Sequence, residues 1–249
     1  MSGHSKWSTI KRRKGAQDAK RGAIFTKVIK EITVAARMGG GDPNANSRLR
    51  HALEEAKINN MPAENVTRAI KKGTGELEGV TYEELLYEGV GPAGTLFLCE
   101  IMTDNRNRTA AELRKVFDKH GGQLGVSGSA AWAFEAKGQI TLPASAATEE
   151  QLFEIAVGAG AEDVQSDGEQ WVIVTPHESL EAVREALSKA SVRISSASPV
   201  RLPKTPKAVS GRDAELGMSL VETLEEHDDV QKVHTDFELS DEALQTLQQ

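Results

Sequence analysis

Apolar residues recur at spacings of three and four through Ile24, Phe25, Val28, Ile29, Ile32 and Ala36, which predicts a helix over residues 16–38, ended by Gly39-Gly40-Gly41. At about 100° per residue, Lys20, Lys27, Lys30 and Arg37 fall on the opposite side of that cylinder, so one face packs and the other presents positive charge. A loop over residues 39–46, rich in Gly, Asp, Pro and Asn, leads to a second helix starting near Ser47, with Leu49, Ala52, Leu53 and Ala56 turned inward. A third helix takes Pro62 in its first turn and Gly73 at its end. Its inner side is Val66, Ala69 and Ile70, and Arg68, Lys71 and Lys72 face out. Residues 16–73 therefore form a small helical unit, and residues 73–79 a Gly-rich hinge.

Beyond the hinge, short strands alternate with amphipathic helices. Residues 96–102 are a nearly continuous apolar run, suited to a strand buried on both faces. A helix over 108–120 places Ala110, Leu113, Phe117 and His120 on one side. A weak repeat follows: strand 139–143, helix 148–158 and strand 161–165, then strand 170–176, helix 177–190 and strand 192–196. Thr148 and Gln151 have capping-box spacing. This βαβ-βαβ order is the ferredoxin-like split arrangement. The three prolines within residues 199–206 read as a return segment, and helix 213–226 (Leu216, Leu220, Leu224) with strand 231–238 completes the earlier unit. The expected class is α+β: a basic N-terminal helical domain (1–77), a discontinuous α+β domain (78–129 plus 200–249), and a ferredoxin-like α+β domain (130–199) inserted in it.

Charge sharpens this division. Residues 1–73 carry 16 Lys+Arg against 6 Asp+Glu, a formal +10, whereas residues 74–249 carry 14 against 31, a formal −17. The net −7 conceals that polarity. A basic module on an acidic body points to a polyanion as partner, with the body repelling it elsewhere. The single cysteine, Cys99, allows no intrachain disulfide and fits a reducing compartment. No stretch approaches the roughly 20 apolar residues of a membrane span, and the N-terminus lacks the apolar core of a secretory signal.

Catalytic and ligand-binding motifs are missing. The six histidines show no metal-ligand spacing, and one cysteine excludes a Cys-rich zinc site. Gly89-Val90-Gly91-Pro92-Ala93-Gly94 matches GxGxxG but lies between two strands, where it reads as a hairpin loop. Cys99 sits in the most apolar strand and reads as packed and inert. The carboxylate pairs Glu83/Glu84 and Asp228/Asp229 read as solvated. No catalytic residue, metal or cofactor is expected.

Four basic clusters carry the candidate chemistry. An arm over residues 1–15, expected to be flexible until bound, holds Lys6, Lys11, Arg12, Arg13 and Lys14 around Trp7, and no acid precedes Asp18. The first helix adds Lys20, Arg21, Lys27, Lys30 and Arg37. The second adds Arg48, Arg50 and Lys57, and the third Arg68, Lys71 and Lys72. Such groups neutralise phosphates and release counterions, and an aromatic among them stacks on an unpaired base. Trp7 either stacks in this way or packs. Asn59-Asn60-Met61-Pro62 reads as a turn. Asn105 or Asn107 caps the helix that follows the buried strand. Arg106 and Arg108, unusual in an acidic body, either pair with nearby carboxylates or meet RNA or a domain partner.

These segments resemble the YebC/PmpR family. Gly3-His4-Ser5-Lys6-Trp7, Ile10-Lys11, Lys14, Asp18, Phe25-Thr26-Lys27 and Glu31-Ile32 look like its opening signature. Residues 56–62 with 68–73 resemble its second motif, and Tyr87-Glu88-Gly89-Val90-Gly91-Pro92 and residues 103–109 its third and fourth. Gly128-Ser129-Ala130-Ala131-Trp132-Ala133-Phe134-Glu135 resembles its fifth. The resemblance runs end to end. It implies three domains around a cleft, no enzyme activity and a bacterial cytoplasmic location. Family members are described as DNA-binding transcriptional regulators, have been connected with ribosomes, including stalled translation of proline-rich segments, and include a mitochondrial translational activator. The resulting expectation is a nucleic-acid-binding regulator, with the ribosome and its RNA favoured as partner and DNA the alternative. No membrane and no small-molecule substrate is expected. The outer faces of the basic helices carry no obvious set of Asn, Gln and Arg base readers, so any DNA binding would run mainly through the backbone.

Overall fold

The computed structural model describes residues 17–166, 168–240 and 243, with side chains from Gly22 onward. The arm, and with it Lys6, Trp7, Lys11, Arg12, Arg13 and Lys14, lies outside the described residues.

Three helices open the chain: α1 (Gln17–Gly39), α2 (Ser47–Ile58) and α3 (Ala63–Thr74). Their shared core is Val28, Ile32, Ala35 and Ala36 from α1, Leu49, Ala52 and Ala56 from α2, and Met61 and Ala69. Asn46 caps α2, its side chain accepting from the Leu49 amide at 3.0 Å and donating to the Ala35 carbonyl at 2.8 Å. Gly73 does not end α3. It lies within the helix where α3 crosses α1, and a Cβ there would run into the Thr33 carbonyl and Ala36. The C-cap is Gly75, in the left-handed region at φ 84°.

The first α+β unit is a four-stranded sheet in the order β3-β1-β2-β9, made of β1 (Glu83–Val90), β2 (Leu96–Thr103), β3 (Gln123–Leu124) and β9 (Val230–Thr235). Helices α4 (Arg106–Lys119) and α7 (Gly211–Glu226) cover one face, burying Leu113, Phe117, Leu220, Val221 and Leu224 against Phe97, Cys99 and Ile101. The Phe97 and Phe117 rings meet edge to face at 5.8 Å. Leu98, on the other face of β2, packs with Ala130, Ala133 and Phe134. That second cover is why β2 reads as an unbroken apolar run rather than an alternation. The GxGxxG stretch is the β1–β2 hairpin: a Cβ at Gly89 would meet the Phe117 ring, and one at Gly91 the Phe97 ring.

The second unit is inserted between β3 and α7. It contains β4 (Phe134–Pro143), α5 (Glu149–Gly158), β5 (Asp163–Ser166), β6 (Gln170–Pro176), α6 (Leu180–Lys189) and β7 (Ser196–Pro203). Its antiparallel order β5-β6-β4-β7 is ferredoxin-like. The core is Ile140, Leu142, Leu152, Ala156, Ile173, Val183 and Leu187, and Thr148 with Gln151 forms the capping box of α5. The last strand differs from the expected 192–196. Val192 and Ile194 pack against the core from a loop, and β7 begins at Ser196 and includes Pro199 and Pro203. It is an edge strand, paired only with β4, so an imino nitrogen can face outward without breaking a ladder bond. The short parallel pair β8 (Lys207–Val209) and β10 (Phe237–Leu239) follows.

Between β3 and β4 the chain forms a neck. The buried Glu88 carboxylate accepts from the amides of Gly128 (2.6 Å), Ala130 (2.6 Å) and Ala131 (2.8 Å). Burial alone would raise its pKa, but these three donors outweigh burial and hold the carboxyl below the usual range.

Candidate nucleic-acid interface

The basic face of α1 is divided. Its middle docks on the acidic body. Lys30 is 6 % exposed, and its ammonium donates to Asp229 at 2.5 Å, to the Asp228 carbonyl at 2.9 Å and to the Met102 carbonyl at 3.2 Å, beneath the Tyr82 ring. Lys27 donates to the Glu225 carbonyl at 2.5 Å. Lys30 was expected to face outward with Lys20, Lys27 and Arg37. Helical spacing identifies the face opposite the core, but that face borders a second unit rather than solvent.

Asp229 is the centre of this contact. It is 3 % exposed and accepts from Lys30, from Thr109 (2.7 Å), from Arg108 (2.8 Å) and from Thr103 (3.2 Å). Burial disfavours the carboxylate, yet the donors of Lys30, Thr109 and Arg108 and the charge of Lys30 prevail and hold it far below the ordinary range. The Asp228/Asp229 pair is therefore not a solvated pair, since Asp229 is sealed in. Glu84 of the other pair is exposed but bridged: Arg48 holds Glu84 at 2.6 Å and Glu31 at 2.6 Å, tying α1 and α2 to β1. Asn105 is the residue that caps α4, accepting from the Arg108 amide at 3.0 Å. Arg108 pairs with Asp104 and Asp229. Arg106 is exposed, with no ion pair among the described residues.

Contacts also reach the inserted unit, where His51 faces Glu181 at 3.3 Å and Arg184 faces Glu54 at 3.8 Å. The helical unit thus touches both α+β units. Of the remaining basic candidates, Arg37, Lys57, Arg68 and Lys71 are exposed, Lys72 and Arg50 are half-buried, and Arg68 pairs with Glu64 one turn earlier. Lys20 and Arg21 belong to the first turns of α1, and their side chains lie outside the described residues. In the sequence Asp229 reads only as one of a solvated pair and Glu88 only as part of a motif shared with the family, and neither is assigned a buried bonding role. The one local hint for Asp229 is its place just before a strand that must pair with the buried β2.

Among the described residues, no group of His, Cys, Asp and Glu side chains could hold a metal ion, and no helix is long and apolar enough to cross a membrane. Cys99 is fully enclosed, and burial pushes its thiol up to about 12.

A cationic three-helix unit docked on two α+β units, one inserted ferredoxin-like in the other, defines the architectural class. Residues 5–76 match the TACO1/YebC protein N-terminal domain, and residues 82–237 match the TACO1/YebC second and third domain. The chain belongs to the TACO1/YebC family. It is 53 % identical over 244 residues to a probable transcriptional regulatory protein of Desulfatibacillum aliphaticivorans, covering 98 % of this chain and 99 % of that one. It is 52 % identical over 247 residues to one from Geobacter sulfurreducens, covering 99 % and 100 %. The crystal structure of a conserved hypothetical protein from Aquifex aeolicus superposes with a TM-score of 0.84 at 48 % identity, over 90 % of this chain and 93 % of that one.

Proposed function

We propose that this protein is a non-enzymatic regulator of gene expression that binds nucleic acid through its N-terminal module and acts on the ribosome, against ribosomal RNA, in the bacterial cytoplasm. The carrying observation is the charge division. The +10 of residues 1–73 is only partly neutralised by docking, which leaves Arg37, Lys57, Arg68 and Lys71 at the surface beside an acidic body. The cationic arm joins these at the start of α1. Lys6, Trp7, Lys11, Arg12, Arg13 and Lys14 provide phosphate contacts and one stacking surface, with Lys20, Arg21, Arg50 and Lys72 as flanking contacts. Lys27, Lys30 and Arg48 serve the contact between units instead. The reading treats residues 1–77, 78–129 with 200–249, and 130–199 as three domains, and it involves no cofactor.

A second reading, a DNA-binding regulator of transcription, is favoured by the names of the relatives. Against it, α2 has no Asn or Gln beside its cations, and the only Asn of α3, Asn65, is half-buried, so the set of residues used in direct base readout is missing from the exposed faces of these two helices.

Sedimentation of cell extract separates the two. Co-migration with ribosomes that is lost when Lys11, Arg12, Arg13 and Lys14 become Glu supports the first reading. Tight, sequence-selective binding to duplex DNA at physiological salt supports the second. Wild-type behaviour of the charge-reversed chain in both assays overturns both.

A further inference from the structure

Trp132 is 67 % exposed and Val126, in the same neck, 78 %. A large ring held at that exposure presents a flat face on which a base can stack. The ring is also held in place. Its indole N–H donates to the Ser129 carbonyl at 3.1 Å, and the backbone beneath it is fixed by the three amides bound to Glu88. The inner residues of the neck, Ala130 and Ala133, are packed against Leu98.

The stretch of chain that returns beside the neck is exceptional in charge for this body. Residues 186–212 contain Lys189, Arg193, Arg201, Lys204, Lys207 and Arg212 and not one Asp or Glu, although residues 74–249 as a whole carry −17. The return segment of this stretch lies against the neck. The Lys204 amide donates to the Ala133 carbonyl at 2.9 Å, and its ammonium to the Trp132 carbonyl at 2.8 Å. Lys207 reaches the Gly94 carbonyl at 3.3 Å. Both lysines are exposed and have donors to spare, since an ammonium carries three.

We infer that the neck is a second nucleic-acid contact, distinct from the arm, in which Trp132 stacks on an unpaired base while Lys204 and Lys207 hold the flanking phosphates. A fixed exposed aromatic beside cations is the arrangement that binds single strands with little sequence preference. A protein interface is depleted in lysine, whereas the cations that the return segment brings beside the neck are lysines, Lys204 and Lys207. The inference rests on the proposed nucleic-acid function but uses none of the residues assigned to it.

The test uses the full chain with Trp7→Phe and Trp171→Phe, so that Trp132 alone reports fluorescence, titrated with a single-stranded RNA dodecamer and with a duplex of the same length. Quenching by the single strand, well beyond that by the duplex, is expected. Trp132→Ala is expected to weaken single-strand binding by about fivefold or more, with Trp132→Phe recovering much of the loss. Lys204→Glu with Lys207→Glu is expected to lower the slope of log affinity against log salt by about two. After reversal of Lys11, Arg12, Arg13 and Lys14 the affinity is expected to fall, but the full quench is expected to be reached at saturating single strand. Wild-type binding with no quench, equal quenching by duplex, or unchanged affinity in Trp132→Ala overturns the neck site while leaving the arm's role standing. Failure of the wild-type chain to bind any polynucleotide overturns both.

Discussion

The Lys30 ammonium and the Asp229 carboxylate lie 2.5 Å apart with side chains only 8 % and 5 % exposed, although 199 positions separate them in the chain. The pair closes the basic helical unit onto the acidic body at its most buried point. Its remaining bonding capacity is taken up by the Asp228 and Met102 carbonyls on one side and by Thr103, Arg108 and Thr109 on the other.

Removing Asp229 strands the Lys30 ammonium among carbonyls with no counter-charge, whereas removing Lys30 leaves Asp229 still paired with Arg108 and hydrogen-bonded by Thr103 and Thr109. Asp229→Ala is expected to destabilise the chain by about 3–5 kcal/mol, and Lys30→Met by less. Urea unfolding measures the loss, and limited proteolysis should show faster cleavage in residues 75–82, which join the helical unit to β1. Unchanged unfolding midpoints would contradict the assigned geometry.

The pH dependence follows from the same carboxylate. Asp229 and Glu88 both have folded-state pKa values held below their ordinary values. Their contributions are therefore fully present above the unfolded carboxylate range, about pH 4. They are lost as pH falls through the lower folded values, because the unfolded chain then binds more protons. Stability measured from pH 6 to pH 3 should fall on the acid side, and Asp229→Asn should flatten that fall while lowering stability at pH 6.

Gly73→Ala inserts a methyl group between two helix backbones and is expected to cost about 1–3 kcal/mol through overpacking. Gly75→Ala meets open space but forces a side chain into left-handed backbone, costing about 1 kcal/mol. Thermal unfolding of the two variants should rank Gly73→Ala the lower.

Glu88→Ala strands three amides that now share one carboxylate, at a cost of about 1–3 kcal/mol or more. Hydrogen exchange at Gly128, Ala130 and Ala131 should accelerate together, with little change in the cores of α1–α3.

Cys99 should be unreactive toward thiol reagents in the folded chain at pH 8 and become reactive only with global unfolding, since both its burial and its raised pKa suppress the thiolate. Rapid labelling under native conditions would place it elsewhere.

Periodicity exposed the helices and the order of the inserted unit because each has a single packed side. Val28 and Ile32, Leu152 and Ala156, and Val183 and Leu187 recur in pairs at helical spacing and are buried. Periodicity could not say what lies against the remaining side, so Lys30 resembled Arg37 in the sequence although only Arg37 is exposed. β7 was displaced because its prolines signal a linker wherever the edge of a sheet is not yet known. Asp229 and Glu88 stayed hidden for a related reason. Each bonds to groups far along the chain or to backbone amides, neither of which leaves a local mark. The charge division was visible by counting, whereas the acid-free stretch 186–212 acquired meaning only when Lys204 was found against Trp132.

The inserted unit leaves the body through Ala133 and Phe134 and returns through Pro203 and Lys204, and these ends are neighbours: Phe134 is in register with Pro203, and the Lys204 amide bonds to Ala133. A lobe suspended from adjacent anchor points can be excised and the gap spanned by a tight turn, without re-routing the remaining backbone. The lobe has a single root in the backbone, and its side chains are braced against the other units through contacts such as His51–Glu181, Arg184–Glu54 and Arg201–Glu100.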